Sequence, residues 1–312
     1  MTDLKPIRNG YGEAIKELGG ENEKIVVLSA DLEDSTRACY FQEKYPKRFF
    51  TFGIAEQDMV SEAAGFSKTG FIPFVNSFGV FLTNRPYDQI RISICYNNCN
   101  VKLVGSHGGL GVGDDGGTAQ TLEDLAIMRV LPNMRVVCPC DALEVKKATR
   151  AIAVEKGPFY MRTGRPSTPI ITDDKTPFKL GKANILKEGP DVTIISTGFM
   201  VPKALDAAGI LEKEGIGATV INMHTLKPID KEKIVEYSQK TGAVVTAENH
   251  QKFGGLGSAV AEVLVTENPV PVEMVAVDDS FGESGAPAEL QKKYKIDTID
   301  IVNQAKQVIK RK

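Results

Sequence analysis

A lone carboxylate, Glu56, closes the apolar stretch FFTFGIAEQ at residues 49–57. The run before it (Phe49, Phe50, Phe52, Ile54) reads as a strand, while Met59, Val60, Ala63, Ala64 and Ser67 beyond it recur at helical spacing. Glu56 therefore stands where a strand stops and a helix starts, and in open parallel sheets that carboxyl end is where ligands bind. Two readings of the acid follow. Walled by aromatics, a carboxyl group resists ionisation because burial disfavours its charged form, and it can hold a proton or a strong hydrogen bond near neutrality, as proton-relay chemistry requires. An acid at a helix start also simply favours the amide dipoles.

A second polar cluster lies in the glycine-rich stretch HGGLGVGDDGG at residues 107–117. Glycine lets backbone approach a ligand closely, so His107 and Asp114 there can bond the hydroxyls or phosphate of a small substrate. The stretch lacks the GK[ST] ending of a nucleotide-phosphate loop, and it contains GxGxxG only loosely, with no helix directly following. A flexible surface loop with solvated acids is the alternative. Phe74, Phe78 and Phe81 gather near the next strand end, either as plain core or as faces for a heteroaromatic ring. Arg8, Ser35 and Arg162 each flank the end of an expected strand or helix, and arginines so placed suit bidentate phosphate binding. Asp31 opens the polar loop DLEDS at residues 31–35.

The elements needed to position these residues alternate. Strands are expected at 24–30, 49–54, 70–78, 101–105, 134–138 and 159–162, and helices at 9–18, from 56 onward, 87–96, 122–131 and 141–155, the last opened by the capping pattern Asp141-x-x-Glu144. A proline-rich polar stretch at 166–190 reads as a linker. A second alternation follows, with strands at 192–196, 218–223, 243–246 and 270–277 and helices at 201–214, 231–239 and 256–265. The fold class is α/β, with two doubly wound domains of mostly parallel sheet, at 1–165 and 191–312. Glu56, the phenylalanines, His107, Asp114 and Arg162 then share one crevice at the carboxyl edge of the first sheet.

Composition excludes several function classes. Thirty-eight Lys and Arg against 40 Asp and Glu leave a formal net charge of −2, which offers no basic face for nucleic acid and no polybasic membrane arm. No apolar run approaches the ~18 residues of a membrane span, and a cytoplasmic protein is expected. The five cysteines (Cys39, Cys95, Cys99, Cys138, Cys140) fit reduced, buried thiols, and neither their spacing nor the three histidines make a zinc site. No metal ligands are assigned to this chain.

At these residues the chain resembles the carboxyl-terminal half of transketolase, a thiamine diphosphate enzyme. The matching segments are Ser29-Ala30-Asp31-Leu32, Phe52-Gly53-Ile54-Ala55-Glu56-Gln57, Ser77-Phe78, Gly111-x-Gly113-x-Asp115-Gly116-x-Thr118, Leu131-Pro132-Asn133-Met134 and Cys138-Pro139-Cys140-Asp141. In the second half they are Leu226-Lys227-Pro228-Ile229-Asp230 and Phe253-Gly254-Gly255-Leu256-Gly257. The resemblance implies a pyrimidine-binding domain followed by the family's C-terminal domain. It makes Glu56 the catalytic partner of the cofactor's pyrimidine N1′, with Phe81 and Phe78 packed on that ring and Asp31 close by. It makes Arg8, Ser35, His107 and Arg162 the grip on a sugar phosphate, and Asp114 the acid that reads the hydroxyl beside the donor carbonyl.

Two departures stand out: Ala119 occupies the place of a common histidine, and Asn84 that of a common tyrosine. The segment Tyr87-Asp88-Gln89 also resembles deoxyxylulose phosphate synthase, a family that usually carries arginine where Phe81 stands. The β chain of a 2-oxo acid dehydrogenase and a non-catalytic regulatory homologue are the other readings. No Gly-Asp-Gly triplet, the family's diphosphate and magnesium motif, occurs in the chain. The resemblance therefore implies an α2β2 assembly in which an N-terminal partner subunit brings that motif and the Mg2+ ligands, and this chain is β.

Overall fold

The computed structural model describes residues 3–312. Short, mostly buried apolar segments build the first sheet. Ile25–Ser29, Phe49–Thr51, Ile72–Phe78, Lys102–Ser106, Arg135–Val137 and Phe159–Arg162 all run parallel. Such near-continuous Val/Ile/Phe runs are what a sheet covered by helices on both faces requires. Helix Ile7–Glu21 packs on helix Ala142–Val154 over one face, through Ile7, Tyr11, Ile15, Val145, Ala148 and Ile152. Helix Glu56–Lys68 covers the other with Met59, Val60, Ala63 and Ala64. Asp141 caps its helix as its position predicts, accepting from the Glu144 amide at 2.8 Å. The return arm of the box differs: Glu144 accepts from the Cys140 amide at 2.7 Å and from Asn222 Nδ2 of the second domain at 2.8 Å. Burial raises that carboxyl group to about 7.

A seventh strand, Thr225–Lys227, pairs antiparallel with Arg135–Val137 at the sheet's edge, although the chain reaches it only after entering the second domain. The second sheet runs Val272–Val277, Val244–Gln251, Val192–Ser196, Ala218–Asn222, all parallel, and ends on antiparallel Asn184–Lys187. That last strand lies inside the stretch expected as linker. So does Ser167–Pro169, which pairs with Leu4–Pro6 as a two-stranded ribbon. The proline-rich segment is thus stitched to both domains. Of the two closing helices, Thr298–Ile309 packs on the second sheet, while Pro287–Lys293 packs against the turn Gly109–Val112 and adds Leu290 to the same core. The helix expected at 87–96 becomes a short turn, Tyr87–Gln89, followed by a π-helical stretch, Ile90–Tyr96. Among the described residues no helix is long and apolar enough to cross a membrane.

Candidate active site

Because the first sheet is parallel, its strands deliver their last residues to one edge. Phe78 ends one strand and His107 follows another, while Glu56 starts a helix after Phe49–Thr51. Glu56 is 3% exposed. Its carboxylate accepts from Nη1 of Arg85 at 2.8 and 3.0 Å, a partner 29 residues away that pattern alone does not reveal. The Arg85 guanidinium also lies over the Phe81 ring, 4.1 Å from its centroid. Phe81 stacks beside Phe78 with centroids 5.8 Å apart, and Phe78 stacks on the His107 imidazole at 3.8 Å. From Glu56 to His107 the crevice floor is one unbroken row of side chains.

The far end of the row is polar and cationic. Arg8 Nη1 lies 3.3 Å from His107 Nε2 and donates to the Ser35 carbonyl at 2.8 Å. Ser35 therefore takes part through its backbone. Arginine only donates, so His107 Nε2 accepts, and Nδ1–H donates to Ser106 Oγ at 2.8 Å. The ring is neutral in this arrangement. Burial first, and then the charges of Arg8, Arg165 and Arg37, push its pKa down to about 3. His107 also holds φ at 63°, and Asp31, exposed at the end of Ile25–Ser29, holds 58°. Positive φ at a non-glycine residue stores strain, and both residues follow the carboxyl ends of strands.

A fall in pH should expose the cost of the neutral ring. The unfolded chain takes up a proton near 6.5 while the folded one does not until about 3. Between those values the unfolded state binds more protons at this ring. The ring's contribution to stability therefore drops as pH falls, at most about 1.4 kcal/mol per pH unit. Glu144 sets the opposite slope against it between about 7 and 4.5. His224, buried against Phe178 and lowered to about 4, adds a slope of the same sign as His107. Urea midpoints from pH 7 to pH 3 should show this slope flattened in His107→Asn, which also tolerates the positive φ. An unchanged slope would place the acid sensitivity elsewhere.

Beside the polar end, Arg8, Gly113, Asp114, Arg165, Ser167 and Pro287 line an open groove. Asp114 is exposed there, and Arg165 donates to the Val112 carbonyl at 2.5 Å and stands 3.9 Å from Asp115. Arg162, expected as a phosphate ligand, does not line this groove. It is 5% exposed. Its Nη1 donates to the Asn249 carbonyl and its Nη2 to the Thr121 carbonyl, each at 2.9 Å, and its Nε pairs with Asp124 at 3.0 Å. Arg165, three residues on and outside the strand, faces the groove instead. The signal for it is positional: it follows Gly164, past the end of Phe159–Arg162, where the chain leaves the sheet.

A buried acceptor beside an aromatic face suits a planar ring bearing an N–H, and the cationic groove suits an anionic, hydroxylated chain. The family model for the transketolase pyrimidine-binding domain matches residues 5–170, and that for the transketolase C-terminal domain matches residues 181–301. The chain belongs to the transketolase family. A 6-deoxy-6-sulfo-D-fructose transketolase subunit, SqwH of Clostridium sp. strain MSTE9, is 42% identical over 306 residues, covering 98% of this chain and 95% of that protein. Human transketolase is 37% identical over 309 residues, which are 98% of this chain and 49% of that protein. A split-gene transketolase solved as an inactive beta4 tetramer superposes with a TM-score of 0.91 at 46% identity, over 98% of this chain and 99% of that one. Transketolase membership implies thiamine diphosphate as cofactor.

Proposed function

We propose that this chain is the C-terminal subunit of a two-chain transketolase, moving a two-carbon ketol unit from a ketose phosphate to an aldose phosphate. The observation that carries the reading is the buried Glu56 carboxylate set against Phe81, in line with Phe78, His107 and Arg8. When bound, the cofactor supplies the carbanion chemistry of carbon–carbon cleavage and transfer. The residues of this chain do the rest. Glu56 Oε1 or Oε2 shares a proton with the pyrimidine N1′ and so selects its tautomer. Phe81 and Phe78 flank the ring and exclude water. A ring on Phe81 that bonds Glu56 would take the place Arg85 holds here, so Arg85, whose side chain is 44% exposed, would turn outward to admit it.

Arg8 and Arg165 anchor the phosphate, His107 Nε2 and Asp114 meet the sugar's polar atoms, and the row between the two ends aligns the carbonyl with the cofactor. The diphosphate and Mg2+ ligands belong to an N-terminal partner subunit carrying Gly-Asp-Gly, in a cytoplasmic α2β2 enzyme of pentose phosphate metabolism.

Co-expression with such a partner tests this directly. Glyceraldehyde phosphate released from xylulose phosphate, with ribose phosphate as acceptor, should require both chains and thiamine diphosphate. Carbon dioxide release from pyruvate would overturn the ketol-transfer reading. Tight cofactor binding with Mg2+ by this chain alone would sink the two-chain arrangement.

A further inference from the structure

The loop that carries Asp114 is held from the second domain. Residues 108–121 leave and rejoin the first sheet's edge, and Gly109 N donates to the Thr121 carbonyl at 2.8 Å to close its base. Arg162, barred from the groove, binds that same carbonyl and the carbonyl of Asn249 in the strand Val244–Gln251. Asn249 reaches back: its Oδ1 accepts from the Leu110 amide at 3.0 Å. Two residues further along the same strand, Gln251 N donates to the Leu122 carbonyl at 2.7 Å, and Gln120 Nε2 donates to the Glu283 carbonyl at 2.9 Å.

The approach is close enough to exclude side chains. A Cβ on Gly109 would meet Asn249 Nδ2 at 2.3 Å, and one on Gly116 would meet Ser284 Oγ at 2.6 Å. Both glycines also hold positive φ, 71° and 77°. Leu110 and Asn249 are both buried, so no solvent replaces the bond between them.

We propose that Asn249 is a positioning residue, through which the second domain sets the height and rigidity of the loop bearing Asp114 over the phosphate groove. It does not touch substrate. Its amide oxygen is the acceptor that fixes the start of the Gly109–Val112 turn, and Asp114 follows two residues after that turn. The C-terminal domain thereby shapes substrate recognition in the first domain. This rests on the sugar-phosphate reading of the groove for its kinetic consequence, but the mechanical part stands on this chain alone.

The test uses Asn249→Leu, which keeps the branching of the side chain but has no acceptor, and Asn249→Asp, which restores the acceptor beside the Arg162 guanidinium. Amide hydrogen exchange on the full chain should speed up about tenfold or more for Leu110–Gly113 in Asn249→Leu, the factor one lost hydrogen bond implies. The strands of the second sheet should be unaffected, and Asn249→Asp should return to within threefold of the parent. In the enzyme assembled with its partner, Asn249→Leu should raise KM for the ketose phosphate about tenfold with kcat within threefold. Unchanged exchange in the loop overturns the proposal. So does faster exchange spread evenly over the second domain, or a fall in kcat at constant KM, either of which marks a merely structural residue. A parent enzyme that exchanges as expected but transfers no ketol unit overturns the functional reading and leaves the loop result intact.

Discussion

Glu56→Gln in the assembled enzyme lowers ketol transfer by about 10²–10⁴-fold, the range that a positioned proton-transfer group contributes. The amide keeps the shape and one acceptor of the side chain but cannot share a proton with the ring nitrogen. Folding should survive. Glu56 bonds only to Arg85, whose side chain is 44% exposed, and a half-solvated pair of this kind adds little stability. The substitution also relieves the burial of a charge. Thermal midpoint and partner binding are therefore expected near the parent's, so a loss of rate cannot be blamed on unfolding. Cofactor affinity should change far less than rate if, as proposed, the diphosphate anchor belongs to the partner subunit. Activity within threefold of the parent would remove Glu56 from the chemistry and leave it as a helix-start acid facing the amide dipoles.

That alternative was visible from the start, and the structure accommodates both: Glu56 is the first residue of its helix and also the wall of the crevice. Its location was legible because an apolar strand-like run gave way to a 3.6-residue period at a single residue. The strand Val192–Ser196 and the Asp141 cap were legible for the same kind of reason, since burial pattern and capping chemistry act over a few neighbouring residues. Arg85 was not. Nothing local to an Asn-Arg-Pro triplet says that its guanidinium spans 29 residues to reach Glu56.

Thr225–Lys227 escaped notice because three residues have no period, and because its partner strand belongs to the other domain. The helix Thr298–Ile309 was missed despite a readable signal: Asp297 and Asp300 form a reciprocal capping box at its start. The buried bonds of Arg162 were not legible for a physical reason. A charged residue at a strand's end normally points to solvent, but here the second domain lies over that end and supplies its carbonyl partner.

Removing that arginine should show which reading of it is right. Arg162→Met should cost about 3–5 kcal/mol of stability, because it strands Asp124 as an uncompensated buried charge. Asp124 is 0% exposed, it also accepts from Tyr160 at 2.6 Å, and its other oxygen already lacks a partner. The lost bonds to Thr121 and Asn249 leave two buried carbonyls weaker as well. Adding Asp124→Asn to Arg162→Met removes the stranded charge while keeping an acceptor for Tyr160. The double variant should regain at least half of the loss, a coupling that contacting residues show and independent ones do not. A groove arginine that held phosphate would behave in the opposite way. Its loss would raise KM severalfold and move stability by less than about 1 kcal/mol, as surface substitutions do. Urea unfolding of the two variants decides between a ligand and the clamp beneath the substrate loop.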